Sequence, residues 1–192
     1  MENNSLPEQH PFEPFVPPGA QYLLIGTFPG RQLTQKLSGE RRDDDWYYGT
    51  HIHSLWDLLG QVYGRPQATT KLAKQELLAE LKMGITDVIA AAHRKRPTNN
   101  DSDLLVAAFQ TEKLAELLKS HKWQALYFTS KQAHKWFTDL SKELQERFAV
   151  PVQCLAVPMH VLPSPSPQYV RFKHGTIEGR RNFYRAVLPG LA

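Results

Sequence analysis

The sequence predicts an α/β fold: a three-layer α/β/α sandwich with a mainly parallel four-stranded central sheet. Three observations carry that expectation. Short apolar runs of strand length alternate with amphipathic segments at helical spacing. Two Pro/Gly turns directly follow or border such runs, in the chain order expected of loops at one end of a parallel sheet. The chain of 192 residues, 41% of them hydrophobic, suffices for one sizeable core and is too short for two comfortable ones. The expected organisation is an irregular arm over 1–20, where prolines interrupt any periodicity, and a single domain over 21–192.

In order, Tyr22 to Ile25 reads as a short buried strand. Ser54 to Tyr63 carries Leu55, Leu58, Leu59 and Val62 at helical spacing, with His53 or Ser54 as the start signal. Lys71 to Lys82 repeats leucines on one helical face and stops at Gly84, and Ile85 to Ile89 supplies a second strand. Leu104 to Phe109 and Thr111 to Lys119 read as helical. Trp123 to Thr129 is a third strand, Lys131 to Phe148 a long amphipathic helix, Val150 to Val157 a fourth strand, and the last helix runs from about Thr176 to Leu188.

The most informative stretches are two loops. Leu162-Pro163-Ser164-Pro165-Ser166-Pro167 interleaves prolines with serines, which fixes an extended backbone and offers small hydroxyls. Gly26-Thr27-Phe28-Pro29-Gly30 follows the first strand and lets the backbone approach a ligand closely. Between them stand Tyr47-Tyr48-Gly49-Thr50-His51-Ile52-His53-Ser54-Leu55-Trp56 and Gly84-Ile85-Thr86-Asp87-Val88-Ile89, the latter followed by Arg96-Pro97-Thr98.

These four segments, in this order, resemble the signature motifs of the uracil-DNA glycosylase superfamily over most of the chain. The closest resemblance is to its hypoxanthine-DNA glycosylase-like and mismatch-specific branches. The resemblance implies a monofunctional DNA glycosylase that hydrolyses the N-glycosidic bond of a deaminated base, uracil or hypoxanthine, for base excision repair. Its partner would be DNA holding a damaged or mismatched base. The alternative is a non-catalytic nucleic-acid-binding relative with the same fold.

Such an enzyme must unstack its base, at a cost of a few kcal/mol, and an aromatic platform recovers about 1–3 kcal/mol per base. The resemblance places that platform at Tyr48, with Tyr47 as the neighbouring alternative. It implies a substrate-binding role for Gly26, Thr27, Phe28, Pro29 and Gly30, whose backbone N–H groups can face the base or a water. Phe28 occupies the position where the best-known branches carry a catalytic Asn or Asp, and a phenyl ring cannot activate water. In the hypoxanthine-like branch the catalytic amide follows Tyr-Tyr-Gly, where this chain has His53, with His51 a competitor. A neutral imidazole can hold water, and a ring N–H can stabilise a departing base. Asp87 is the second catalytic candidate; its competing role is a helix N-cap. Asn99, Asn100, Asp101 and Ser102 either read the base or form a turn. Contacts to DNA are expected from Pro163, Ser164, Pro165 and Ser166, with Arg171 and Lys173 supplying charge. His93-Arg94-Lys95-Arg96 is a second basic cluster that is either a DNA contact or a solvated face.

Other classes drop out. The net charge of +4 and a pI near 9.2 permit a nucleic-acid partner. Cys154, the one cysteine, excludes an intrachain disulfide and leaves an iron–sulfur cluster without ligands; it reads as core. The eight histidines show no metal-ligand spacing, so neither metal nor cofactor is expected. No run approaches the roughly 18 apolar residues of a membrane span, and the N-terminus lacks signal-peptide order. A cytoplasmic monomer is the expectation.

Overall fold

The computed structural model of the chain describes residues 6–36, 38–49, 54–166 and 176–190. Along it run strands β1 (Glu8–Gln9) and β2 (Tyr22–Gly26), the one-turn helix α1 (Arg31–Thr34), and helices α2 (Leu55–Tyr63) and α3 (Lys71–Glu80). Strands β3 (Met83–Asp87), β4 (Ile89–Arg94) and β5 (Leu104–Phe109) follow, then helix α4 (Thr111–Ser120), strand β6 (Ala125–Phe128) and helix α5 (Lys131–Glu146). Helix α6 (Val152–Leu155), strand β7 (Met159–Val161) and helix α7 (Ile177–Val187) complete the order.

The central sheet is four-stranded and parallel, in the order β3-β2-β6-β7. Its pairing runs from Tyr22↔Met83 to Gly26↔Asp87 on one side of β2 and from Tyr22↔Ala125 to Ile25↔Phe128 on the other. A parallel sheet must be covered on both faces, and β2 shows how. Its side chains alternate: Leu24 packs with Trp56, Leu59, Leu78 and Tyr184 from α2, α3 and α7. Leu23 and Ile25 pack with Leu114, Leu118, Phe137 and Leu144 from α4 and α5. The three layers follow from that period of two. Threonine or serine hydroxyls start three helices: Thr70 accepts from Ala73 N, Ser130 from Ala133 N and Thr176 from Gly179 N.

A second sheet, antiparallel and ordered β1-β4-β5, continues from the end of β3, with Val88 alone between β3 and β4. It corrects the helical expectation for Leu104 to Phe109: these residues pair with β4 from Ile89↔Phe109 to Arg94↔Leu104. The stretch is only 6 residues long, and periodicity cannot separate a strand from a helix turn at that length. The expected fourth strand over Val150 to Val157 is also replaced. Pro151 is the N-cap of α6, and the strand lies downstream at β7, where Leu126 N donates to Pro158 O at 2.9 Å. Cys154 is accordingly half-buried on α6 rather than in a strand. The segment before Tyr22 does more than wrap the surface. Glu8–Gln9 pairs with β4, Phe12 is buried, and Phe15 bridges Ile85.

α3 also carries a buried charge. Lys74 is fully buried, its Nζ donates to Asp44 O at 2.8 Å, and it lies 5.6 Å from the Trp56 ring centroid. Burial lowers its pKa from 10.5 to about 8 against the opposing field of Asp44 and Asp45. The folded state therefore releases this proton before the unfolded chain does. Stability rises with pH between about 8 and 10.5 and is lower below that window. Denaturant unfolding across this range is expected to show the wild type gaining roughly 3 kcal/mol relative to Lys74→Met. Parallel pH profiles for the two proteins would show that Lys74 titrates normally.

Candidate active site

Because the four central strands run the same way, their carboxyl ends share one edge, where open α/β sheets bind ligands. Gly26 ends β2 opposite Asp87 at the end of β3. Thr129 follows β6, and Leu162-Pro163 follows β7, with Leu162 N donating to Phe128 O at 2.8 Å. The Gly26–Gly30 and Pro163–Ser166 loops thus lie at the same edge.

Gly26 is the point of closest approach. A methyl group at its Cα would overlap Asp87 Oδ1 and the Tyr48 hydroxyl. The Tyr48 hydroxyl donates to Thr129 Oγ1 at 2.8 Å, and burial, reinforced by the charge of Asp87, pushes its pKa well above the ordinary tyrosine value. Tyr48 has φ of 63°, unusual for an aromatic residue, and Gly49 follows with φ of 59°. Such a backbone costs about 1–3 kcal/mol and persists where its surroundings hold it. Tyr47, by contrast, is core: it is 1% exposed, packs against His10, Phe12 and Trp46, and accepts the Trp56 indole N–H on its carbonyl at 2.6 Å.

Asp87 is buried and caps no helix, since it ends β3 and β4 follows after Val88. Its Oδ2 lies 2.9 Å from His10 Nε2, and both side chains are nearly inaccessible. The His10 ring sits among Phe12, Phe28 and Tyr47.

The Gly26–Gly30 loop spends its carbonyls internally. Those of Gly26 and Thr27 accept from Val88 N and Ile89 N, that of Pro29 from Arg94 Nη2 at 2.7 Å, and that of Gly30 from Leu33 N. The amides of Phe28 and Gly30 make no hydrogen bond among the described residues. The Phe28 ring is half-buried between His10 and Arg94, against Ile89, Ala92 and Leu104 of the second sheet. Thr27 Oγ1 donates to Asp101 Oδ1 at 2.8 Å, and Ser130 Oγ lies 3.4 Å from Asp101 Oδ2. Burial raises the Asp101 pKa, with Asp87 adding to the shift and the two hydroxyls opposing it. Among the described residues no cation lies within ion-pair distance of Asp101.

The proline-serine loop projects less than its composition suggests. Pro163 and Pro165 are buried, so these two of the expected DNA contacts set the path of the loop, while Ser164 and Ser166 are half-buried. Ser164 Oγ accepts from Ser166 N at 3.2 Å. Helix α7 pins the loop from beneath: Tyr184 donates to Pro163 O at 2.9 Å, and buried Arg180 donates to Ser166 O at 3.1 Å and Ser164 O at 3.4 Å. His53, Arg171 and Lys173 lie outside the described residues. So does His51.

Comparison with known proteins settles the family. A model of the uracil DNA glycosylase superfamily matches residues 13–191. The chain belongs to the uracil DNA glycosylase superfamily. The solution NMR structure of a candidate uracil DNA glycosylase from Methanosarcina acetivorans is similar, with a TM-score of 0.59 and 19% identity over 91% of this chain and 95% of that one. No curated protein matches the chain.

Two residues of this superfamily member's edge escape motif reading. His10 lies in a proline-rich arm without periodicity, and only the pairing of β1 with β4 brings it to Asp87 across 77 positions. Asp101 sat within a polar tetrad that reads equally well as a turn, and it does form part of a 3₁₀ turn, Asp101–Asp103. Among the described residues no group of three or more His, Cys, Asp or Glu side chains is placed to hold a metal, and no helix is long and apolar enough to cross a membrane.

Gly26→Ala is expected to lower stability by about 1–3 kcal/mol in denaturant unfolding, because a buried carboxylate and a buried hydroxyl must both move. Gly39→Ala, with nothing near its Cα, serves as the neutral control. Equal stability of the two variants would mean that Asp87 and Tyr48 do not crowd Gly26.

Proposed function

We propose that the chain is a monofunctional DNA glycosylase that hydrolyses the N-glycosidic bond of a deaminated base, uracil or hypoxanthine, in DNA. The observation that carries this reading is Asp101: a carboxylate held by the Thr27 and Ser130 hydroxyls at the Gly26–Gly30 loop, where the Phe28 and Gly30 amides make no hydrogen bond among the described residues. It provides an acid–base group next to the loop where Phe28 removes the familiar one.

Glycosidic cleavage builds positive charge on the sugar and negative charge on the leaving base. In the proposed reaction a water adds to C1′, its proton passes to Asp101, and the electron pair of the C–N bond leaves with the base. Oriented amides that meet the developing negative charge need no reorganisation, which favours the transition state. Tyr48 offers its ring to the displaced base, and its anchored hydroxyl fixes the ring position. Asp87, paired with His10, is assigned a positioning role: it holds the floor under Gly26. His53 is assigned the ring N–H that meets the departing base, on the strength of the resemblance alone. Ser164 and Ser166, with Arg171 and Lys173, are assigned to backbone phosphates. The pathway served would be base excision repair.

Single-turnover release of free base from DNA containing uracil, hypoxanthine, xanthine or a mismatch tests the reading. Wild-type protein is expected to release uracil or hypoxanthine. Asp101→Asn is expected to slow release by the roughly 10²–10⁴-fold typical of acid–base groups while keeping DNA binding, and to remove the fall in rate at acid pH that protonation of the carboxylate imposes. His53→Ala is expected to slow release similarly, with His53→Asn restoring part of it. Release from Asp101→Asn at the wild-type rate would reassign the base. No release by the wild type on any substrate would establish the non-catalytic alternative.

A further inference from the structure

The basic cluster at the end of β4 forms one wall of a surface groove of about 340 Å³, lined by His93 and by the charged residues Glu8, Arg31, Arg94, Lys95 and Arg96. Most basic runs are solvated faces, so the pairing of each charge decides what this one can do. Glu8 is bonded to Arg94 at 2.9 Å and accepts from the Thr34 hydroxyl and the Gln35 amide. Burial alone would raise its pKa, yet these partners hold it below the ordinary value, so it remains the anion that neutralises Arg94. Arg96 pairs with buried Asp103 at 2.7 Å. Arg31 and Lys95 are exposed, and no carboxylate lies within ion-pair distance of either among the described residues. The groove therefore carries two cations outside any ion pair among the described residues, Lys95 lying in the partial field of Asp103.

Its position is fixed to the candidate active site. Arg31 directly follows Gly30, and its amide donates to Asn99 Oδ1 at 2.8 Å. Arg94 donates to Pro29 O and to Thr98 O at 3.0 Å. One guanidinium thus braces both the groove wall and the Gly26–Gly30 loop.

We propose that this groove takes the sugar-phosphate backbone of DNA, with Arg31 and Lys95 neutralising about two phosphates beside the displaced nucleotide. The location relative to that nucleotide rests on the glycosylase reading; the phosphate chemistry does not. A polymer suits the site better than a free anion. Capture of a small anion relies on converging buried donors such as a backbone nest, whereas single exposed cations bind weakly. Along DNA the same cations gain from counterion release, and their contacts position the strand without reading sequence.

The test measures anisotropy of a labelled duplex lacking any target base, with the full chain, between about 50 and 200 mM salt. Relative to wild type, R31Q/K95Q is expected to make the log–log salt slope shallower by about 2, since each neutralised phosphate contributes about 0.9. K135Q/K142Q, which removes exposed cations of α5, is expected to leave the slope unchanged; melting temperatures check that both variants fold. Inorganic phosphate or a mononucleotide at constant ionic strength is expected not to displace the duplex. An unchanged slope in folded R31Q/K95Q, an equal change in K135Q/K142Q, displacement by the small anions, or absence of duplex binding by the wild type would each overturn the groove assignment. Base release, measured separately on damaged DNA at saturating protein, keeps the two readings apart. Release with an unchanged slope defeats the groove alone, and a shallower slope without wild-type release defeats the glycosylase reading alone.

Discussion

The edge of the sheet is organised around a missing atom. Gly26 is the last residue of the central strand and has neighbours on both sides, Asp87 across one pairing and Thr129 beyond the other. With no Cβ there, the Asp87 carboxylate and the Tyr48 hydroxyl can converge over the strand end. Tyr48 reaches that point only through a left-handed backbone, and its bond to Thr129 links the loop before α2 to the strand behind α5. Three elements distant in sequence are thereby fixed by one absent side chain.

Two carboxylates at this edge live in different surroundings. Asp87 faces a histidine in an enclosure of aromatic rings, whereas the hydrogen-bond partners of the Asp101 carboxylate among the described residues are the Thr27 and Ser130 hydroxyls. Paired carboxylates with unlike environments are how proteins divide the labour of charge holding and proton transfer between chemically identical groups. Arg94 completes the arrangement from the second sheet. Its guanidinium is shared among β1, the first loop and the turn before Asp101, so the antiparallel sheet serves as a brace for the parallel one.

The layered architecture was legible because it depends on periodicity. The helices at 55–63, 71–80, 131–146 and 177–187 declare themselves by apolar spacing, and the strand before Gly26 by its unbroken apolar run. What failed was local. Leu104–Phe109 is apolar enough to suit either a helix turn or a strand, and its partner, β4, decides the matter. Val150 to Val157 has strand-like composition, but Val152–Leu155 turns into a short helix behind the Pro151 N-cap and the pairing edge of β6 is met only from Met159 onward. At the candidate site, Gly26–Gly30, Tyr48 and Asp87 stood out as motif residues. His10 and Asp101 did not, because neither their type nor their spacing distinguishes them until a tertiary contact is made. Conversely, the serines and prolines of 163–166 looked exposed by composition, while Arg180 and Tyr184, far along the chain, draw their carbonyls inward.

The pairing of β1 with β4 has a consequence for how the molecule assembles. His10 is made early in synthesis, yet the strand that seats its neighbours, Ile89–Arg94, and its partner Asp87 emerge some 77 positions later. Until then the arm has nothing to join. Loop-closure entropy over such a separation must be met before the contact returns anything, as it must for the pairing of Tyr22 with Ala125 inside the central sheet. The Asp87 carboxylate therefore gains its imidazole only when two distant stretches of chain are brought together, so the enclosure around that pair depends on tertiary folding and not on local structure.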